Sequence, residues 1–211
     1  MEQQKLSKDL AGNLAFFQAR FVKAMDLILR RVELGGRAAA LLAVDGLVNK
    51  EVITLSVLEP LLRERSYPSE PEKQLAFIER RVLSAADLKH EARMDALLQL
   101  LMSGFAVLLL DGVDDALAFG VQGFAYRGPQ EPQNEVMQRG AKDGFTESNQ
   151  LNMAMIRRRM KNTSLKFEML QVGAQSHTPL VLCYIEGVAS EKILRQVRQK
   201  LEDCSLQTVL G

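Results

Sequence analysis

The feature that most constrains this sequence is an order of predicted elements that occurs near both ends of the chain. Near the start, leucines and phenylalanines at helical spacing predict an amphipathic helix over residues 5–24. Two strand-like segments follow, DLILRRVEL and RAAALLAVDG, on either side of the glycine pair Gly35-Gly36. A second helix is predicted over NKEVITLSVLEPLL. The first unit is therefore helix, strand, strand, helix.

The same order returns in the last third of the sequence. Residues 147–161 predict a helix, and SLKFEMLQVG and PLVLCYIEGV predict two strands. The segment SEKILRQVRQKL predicts the closing helix, with Ser190 as its N-cap. The end of the chain therefore repeats the α-β-β-α pattern of its beginning.

Turn residues also correspond between the two units. Gly35 matches Gly173. The pair Asp45-Gly46 follows the second strand of the first unit, and Glu186-Gly187 follows the second strand of the last unit. Any mixed α and β chain could show the same order of elements. The matching acid–glycine pair favours a true repeat.

The section between the repeats has a different pattern. A capping-box spacing at Ser69–Glu72 opens a helix, VLSAADL resembles a short strand, and HEARMDALLQLLMS predicts a helix. FAVLLLDG and DALAFGVQGFAYR then predict a hairpin that turns at Gly112–Asp114. Next, residues 127–144 hold three glycines and two of the six prolines, which is typical of a linker.

These patterns predict a mixed α/β (α+β) fold of two small subdomains. Residues 1–65 and 147–211 are expected to form the first subdomain from the two α-β-β-α units. Residues 66–126 are expected to form an inserted second subdomain, and residues 127–146 the linker.

Composition excludes several functional classes. The 211 residues include 27 Lys and Arg against 26 Asp and Glu, and a net charge of +1 argues against a dedicated nucleic-acid binder. The two histidines and two cysteines form no metal-ligand spacing, and Cys183 in LVLCYI reads as a buried thiol. We therefore expect no metal, no cofactor and no disulfide. The polar N-terminal residues do not predict a signal peptide, and no apolar run is long enough to predict a membrane span.

Enzyme motifs are also absent from the sequence. It contains no G-x-x-x-x-G-K-[ST], no G-x-S-x-G and no H-E-x-x-H. The adjacent acids Asp114-Asp115 fall in a predicted turn, where solvated turn residues are the simpler interpretation. The sequence therefore predicts a protein that is not an enzyme.

One segment, RGAKDGFTESNQLNMAMIRRRMKN, carries three consecutive arginines, Arg157, Arg158 and Arg159. Successive helical residues are rotated by ~100°, so the three side chains fan apart and cannot converge on one phosphate. A helical wheel places Arg158 among the apolar residues of one face, and Arg157 and Arg159 at the seams between two apolar faces.

Arg158 therefore needs an acidic partner, because an unpaired buried charge is costly. The candidates are Glu131, Glu135 and Glu147. The favoured interpretation is that the arginines tie the linker to the helix. The alternative is that one of them contacts a ligand.

The residues around this segment resemble the N-terminal soluble domain of the A subunit of bacterial spore germinant receptors, the GerA family. The resemblance also extends through LKFEMLQVG, LVLCYIEGVAS, LSKDLAGN and DGLVNKEVI, so it covers nearly the whole chain. This chain has RGAKDGF where such domains commonly read RGPREGF. The residues that carry the resemblance are Arg127, Glu131-Pro132, Glu135, Arg139-Gly140, Gly144-Phe145, Glu147, Asn152 and Ile156 through Arg159.

The resemblance implies a role that composition cannot show. Such A subunits continue into a membrane region in the spore inner membrane, with this domain facing the spore core. They act with B and C subunits, and with further A subunits, in a nutrient-responsive receptor thought to be an ion channel. The family's domain has two α/β subdomains joined by two linkers.

Two functional hypotheses follow from the resemblance. In the first, the domain senses and transmits a nutrient signal without catalysis. In the second, it is a stand-alone binding domain with a small-molecule germinant in the cleft between subdomains. RNA binding through the arginines is a third, disfavoured by the net charge and the fanned geometry.

Overall fold

The computed structural model describes residues 4–83, 87–123 and 144–204. The chain divides into two compact units, and the first contains Met1–Arg20 and Asp26–Ala125. The second contains Phe21–Met25 and Tyr126–Gly211. Among the described residues, no helix has the length and apolar character needed to cross a membrane.

The first unit is built on a five-stranded antiparallel sheet. Its elements are α1 (Leu10–Arg20), β1 (Leu27–Leu34), β2 (Arg37–Val44), α2 (Lys50–Ile53), α3 (Glu59–Arg63), α4 (Pro71–Phe77), β3 (Leu88–Glu91), α5 (Met94–Leu101), β4 (Phe105–Leu110) and β5 (Ala116–Gly120). The strand order is β1-β2-β4-β5-β3. Two π-helical stretches, Thr54–Leu58 and Ile78–Val82, follow α2 and α4 directly.

The centre of this sheet is uncharged because it is covered on both faces. Every residue of β4, FAVLLL, is buried, as are the last six residues of β2. Val57, Ile78 and Leu108 are fully buried in the same core cluster, which joins the helical segments to the sheet. Strands covered on both faces read as continuous apolar runs rather than as alternating patterns.

The second unit contains α6 (Asn149–Arg159), β6 (Leu165–Val172), β7 (Thr178–Ile185) and α7 (Glu191–Glu202). Strands β6 and β7 form an antiparallel hairpin. On one face, Met153 of α6 packs in a cluster with Leu165 and Phe167. On the other face, α7 reaches the hairpin through Arg198, which contacts Glu168. The hairpin therefore lies between two helices.

The α-β-β-α order that the sequence predicts at both ends is present in both units. The corresponding glycines adopt the same left-handed conformation, which a residue with a Cβ rarely adopts. The φ angles are 59° at Gly35 and 85° at Gly173, and 78° at Gly46 and 81° at Gly187.

Backbone hydrogen bonds also repeat at equivalent positions. The amide of Asp45 donates to the carbonyl of Asp26 at 2.7 Å, and the amide of Glu186 donates to Ser164 at 2.8 Å. In the turn that follows, Leu47 donates to the carbonyl of Val44 at 3.1 Å. The equivalent bond in the second unit runs from Val188 to Ile185 at 3.2 Å.

The first helix of each unit is held at its start by an asparagine clamp. The amide group of Asn13 accepts from the backbone N–H of Ser7 at 3.0 Å and donates to its carbonyl at 2.7 Å. Asn152 makes the same two bonds with Thr146, at 2.8 and 2.7 Å. Each asparagine is the fourth residue of its helix and lies six residues after its partner. A shared side-chain clamp is a more specific sign of duplication than shared element order.

Two sequence-based expectations need correction. Residues 66–126 were expected to form an inserted subdomain, but β4 pairs with β2, so these residues share one sheet with residues 27–44. The two α-β-β-α units consequently lie in different compact units. The pairing joins residues far apart in sequence, which local patterns do not encode. The residues LKHE, expected to span the end of a short strand and the start of a helix, form β3, and the helix begins at Met94.

Candidate functional site

The arginine run forms the C-terminal end of α6, directly before the connection to β6. Ser148 caps the start of this helix, because its side chain accepts from the amide of Leu151 at 3.4 Å. Arginines in the last turn complement the partial negative charge of a helix C-terminus. The local sequence therefore explains why cations lie at this end.

Arg157 is the buried member of the run, with 1% of its surface exposed. Its guanidinium donates to the carbonyl of Asn162 at 2.7 Å and to that of Leu165 at 3.1 Å. The carbon atom of the guanidinium lies 4.9 Å from the ring centre of Phe167. These contacts join the end of α6 to the first residues of β6, so Arg157 closes the helix–strand connection.

This arrangement corrects the expectation that Arg158 is the buried arginine. The helical wheel offered two apolar faces, and the hairpin packs against the one that includes Met153 and Ile156. Arg157 lies beside Met153 and Ile156 on the helix and buries its long stem with them. Arg158 is half-buried instead, and Arg159 is exposed.

Arg158 lies close to its own helix. Its Nε donates to the carbonyl of Ala154 at 3.4 Å. Burial of the guanidinium, and then the neighbouring charge of Arg159, lower the pKa of Arg158. The two outer arginines thus form a cationic surface on α6 beside a clamp made by the third.

The other predicted site residues divide into two groups. Arg127, Glu131, Glu135 and Arg139 lie outside the described residues, and with them most of the predicted linker. Asn152 forms the clamp with Thr146 described above. Glu147 is exposed and, within the described part of the chain, makes no ion pair with Arg158.

The opposite face of the hairpin carries a second cluster that sequence reasoning missed. Arg198 of α7 binds both carboxylate oxygens of Glu168, at 2.9 and 2.7 Å. The hydroxyl of Tyr184 lies 3.5 Å from both side chains. The Arg198 hydrogen bonds hold the pKa of Glu168 below its usual range. Burial raises the pKa of Tyr184.

Lys166 adds a buried cation to that face of β6, with 2% of its side chain exposed. Its Nζ lies 3.3 Å from Glu186. The sequence does carry one signal for these residues, because Lys166 and Glu168 alternate with Leu165, Phe167 and Met169. Alternation identifies the second face, but it does not show that α7 covers that face.

In the first unit, His90 of β3 lies between two carboxylates. Its Nδ1 contacts Asp115, and its Nε2 lies 3.3 Å from Glu79. Burial lowers the pKa of His90, but the hydrogen bonds and charges of Asp115 and Glu79 outweigh it, and the net direction is upward. Nearby, a cavity of about 350 Å³ opens between β3 and α5. It is lined by Lys89, His90, Glu91, Arg93, Ala96, Gln99, Leu100 and Ser103.

The charged contacts of the described side chains act as structural clamps. Within residues 4–83, 87–123 and 144–204, no group of three or more His, Cys, Asp or Glu side chains could hold a metal ion. The buried cations are matched to carbonyls, carboxylates and an aromatic ring. Such contacts fix the positions of helices and strands.

Comparison with known sequences finds one matching family model, described as Bacillus/Clostridium GerA spore germination protein, over residues 15–211. Spore germination protein KA of Bacillus subtilis (strain 168) is 36% identical over 208 residues, which is 97% of this chain and 38% of that protein. Spore germination protein B1 of the same strain is 27% identical over 97% of this chain and 42% of its own length. The chain thus spans about two fifths of these relatives.

Comparison with solved structures finds the same fold. The chain superposes on the N-terminal domain of the A subunit of the Bacillus megaterium spore germinant receptor GerK3 with a TM-score of 0.74. Sequence identity is 24%, and the match covers 97% of this chain and 75% of the solved one. About a quarter of that solved chain therefore has no counterpart in these 211 residues.

Proposed function

The chain belongs to the Bacillus/Clostridium GerA spore germination protein family, and we propose that it forms the N-terminal region of a germinant receptor A subunit. In this role it takes part in sensing nutrients and in the signal that starts germination. The single observation that carries the proposal is the family match over residues 15–211. The fold shared with the GerK3 domain supports it.

The geometry favours a role in transmission rather than catalysis. In the second unit, the helices on either side of the hairpin are fixed by directional contacts, namely the Arg157 bonds to carbonyls and the Arg198–Glu168 pair. Such contacts hold elements in one arrangement and resist gradual deformation. A receptor domain needs this property in order to pass on a change made at one place.

Within this role, we assign separate tasks to the three arginines. Arg157 fixes α6 to β6, as its burial and carbonyl bonds indicate. Arg158 and Arg159 present charge on the outer side of α6, where they are proposed to hold the predicted linker, residues 127–146. The carboxylates of Glu131 and Glu135 in that linker have the complementary charge. A shift of the linker is then the step that carries the signal.

The longer relatives extend the proposal to the whole protein. The A subunit would act with B and C subunits and with further A subunits. Its remaining part would lie in the spore inner membrane, with the present domain facing the spore core. No nucleic acid, metal or cofactor has a part in this scheme.

The direct test is removal of the gene from the spore-forming host. Spores without the protein are expected to lose germination with at least one nutrient in a panel of amino acids, sugars and nucleosides, measured as the fall in optical density. Returning the gene restores that response. Unchanged germination with every nutrient in the panel, in a strain with no second receptor for the same nutrients, argues against the proposal.

A second candidate function is direct binding of a small-molecule germinant. The cavity beside β3 favours this alternative, because Lys89, His90 and Arg93 in its lining offer donors to a carboxylate or a hydroxyl group. A ligand-detected NMR screen of the same nutrient panel tests it. Binding that disappears in Arg93→Ala and persists in Arg63→Ala, an exposed arginine elsewhere on the first unit, would assign the germinant to this cavity.

A further inference from the structure

The two units differ at the outer edge of their second strand. Equivalent hydrogen bonds at Asp45 and Glu186 place β2 and β7 in the same position within their units. In the first unit, the outer edge of β2 is paired with β4, from Ala39 with Leu110 to Leu42 with Val107. In the part of the second unit that the structure describes, β7 pairs with β6 alone.

The hydrogen-bonding direction along β7 follows from its partner strand. Opposed residues in an antiparallel pair alternate between bonded and non-bonded positions. Because Glu186 donates to Ser164 across the hairpin, Cys183 and Val181 direct their amides and carbonyls away from β6. Pro179 has the same orientation as Val181 and Cys183. Its missing N–H would point away from β6, so the proline removes no hydrogen bond from the hairpin.

The first unit shows the same phase from independent contacts. Ala38, the counterpart of Pro179, directs its carbonyl away from β1 and accepts from the amide of Asp111 at 2.9 Å. The Pro179 carbonyl accepts from the side chain of Asn149 at 3.1 Å. The carbonyl of Pro179 on the β7 edge therefore already has a hydrogen-bond partner. The next two outward-directed residues, Val181 and Cys183, correspond to Ala40 and Leu42, which face β4 in the first unit.

Strand β7 is uncharged, and exposed apolar side chains lie on it and on the segments that follow it. No residue of β7 carries a charge, and Leu180 and Cys183 are exposed. The expectation of a buried thiol at Cys183 was therefore wrong. On the following turn and on α7, Val188 is 78% exposed and Ile193 is 59% exposed. An exposed, uncharged edge strand is usually covered in the native protein, because it otherwise promotes aggregation.

We propose that β7 is an internal strand of a larger sheet, completed by an uncharged strand from chain outside these 211 residues. The occupant is a segment of the longer protein that comes after residue 211. In the first unit, β4 likewise comes from chain that follows the α-β-β-α repeat. The solved GerK3 domain has the length for this, since a quarter of it is unmatched here. The second unit is then where the remainder of the protein joins the fold.

Amide hydrogen exchange at Val181 and Cys183 tests this inference. In the 211-residue chain both amides are expected to exchange rapidly, and in the full-length protein at least ~100-fold more slowly, because paired strands are protected. Rapid exchange in both proteins would overturn the proposal. Slow exchange in the 211-residue chain would also overturn the proposal. If the exchange rate depends on protein concentration, a second copy of the chain covers the edge. If it does not, a segment within the 211 residues covers it.

A proline substitution supplies the matched variant. Val181→Pro removes an amide that points away from β6, so no hydrogen bond of the hairpin is lost. Because the Val181 side chain also packs on the cluster of Met153, Leu165 and Phe167, the melting temperature of the 211-residue chain is expected to fall by at most about 5 °C. In the full-length protein the same change should remove most of the protection at Cys183. If Val181→Pro leaves that protection intact, the protection of Cys183 does not come from a strand paired along this edge, and the proposal is wrong.

Discussion

The guanidinium of Arg157 stacks on the ring of Phe167, with 4.9 Å between the guanidinium carbon and the ring centre. The same group donates to the carbonyls of Asn162 and Leu165, so a buried cation satisfies the backbone between a helix and a strand. A contact made at once with the loop, the strand backbone and a core side chain fixes the position of α6.

Loss of the Arg157 side chain should therefore be severe. Arg157→Ala is expected to destabilise the protein by about 3 kcal/mol or more, because hydrogen bonds from a charged donor contribute roughly 1.5–3 kcal/mol each. Arg157→Lys should recover only part of this, since an ammonium cannot stack and bridge in the same geometry. Chemical denaturation of the purified chain measures both. Arg159→Ala is the control, expected within about 0.5 kcal/mol of wild type; equal effects at the two positions would contradict the assignment.

The asparagine clamps predict a parallel pair of effects. Asn13→Asp and Asn152→Asp keep an acceptor for the backbone amide but lose the donor to the carbonyl of Ser7 or Thr146. Each is expected to cost about 1–3 kcal/mol, with the larger effect at Asn13, which is 2% exposed. Urea denaturation provides the measurement. Wild-type stability in both variants would show that the clamps do not hold the helices.

How far the sequence predicts this structure depends on the range of the interaction. The order of elements, the glycine turns and the FAVLLL strand were all predictable, because each depends on local periodicity or on a positive φ. The partner of β2 was not, because β2 and β4 are far apart in sequence. The predicted subdomain boundaries were wrong for the same reason.

The candidate site shows the same limit. The importance of the arginine run was visible in the sequence, but its buried member was not. Met153 and Ile156 define one apolar side of α6, and Leu151, Ala154 and Met155 define another, so the helix alone does not determine which side meets the hairpin. Arg198 was missed because it pairs with Glu168, 30 residues away.

The pair of Glu168 and Arg198 predicts a dependence on acidic pH. The pKa of Glu168 is lowered mainly by its hydrogen bonds to Arg198. The folded state therefore gains stability above the unfolded pKa of about 4.3, and this gain is lost as the pH falls through the lower folded value. Glu168→Gln should flatten the stability profile below about pH 5. If the variant loses stability at acidic pH as the wild type does, the pair contributes nothing to stability. Glu202→Gln, at an exposed residue of α7, is the control.

His90 predicts the opposite sign near neutral pH. Its pKa is raised overall, because Asp115 and Glu79 outweigh the effect of burial. The two ion pairs are complete below the unfolded pKa of about 6.5 and are lost as the pH rises through the folded value. An NMR titration of the His90 ring should give a midpoint above about 6.5. Asp115→Asn should lower that midpoint, and a midpoint unaffected by this change would contradict the cluster.

The central claim is that the outer arginines of α6 act on the linker in a germination signal, while Arg157 maintains the fold. Germination of spores that carry Arg158→Glu and Arg159→Glu together is the most direct measurement, with immunoblotting to confirm wild-type protein levels. The account predicts that nutrient-triggered germination falls at least tenfold, although the purified double variant still folds. Its melting temperature is expected to fall by no more than about 6 °C, because the two side chains lie outside the core and their charge reversal mainly opposes the helix dipole. Germination at the wild-type rate, with the double variant present at normal levels, would contradict the claim.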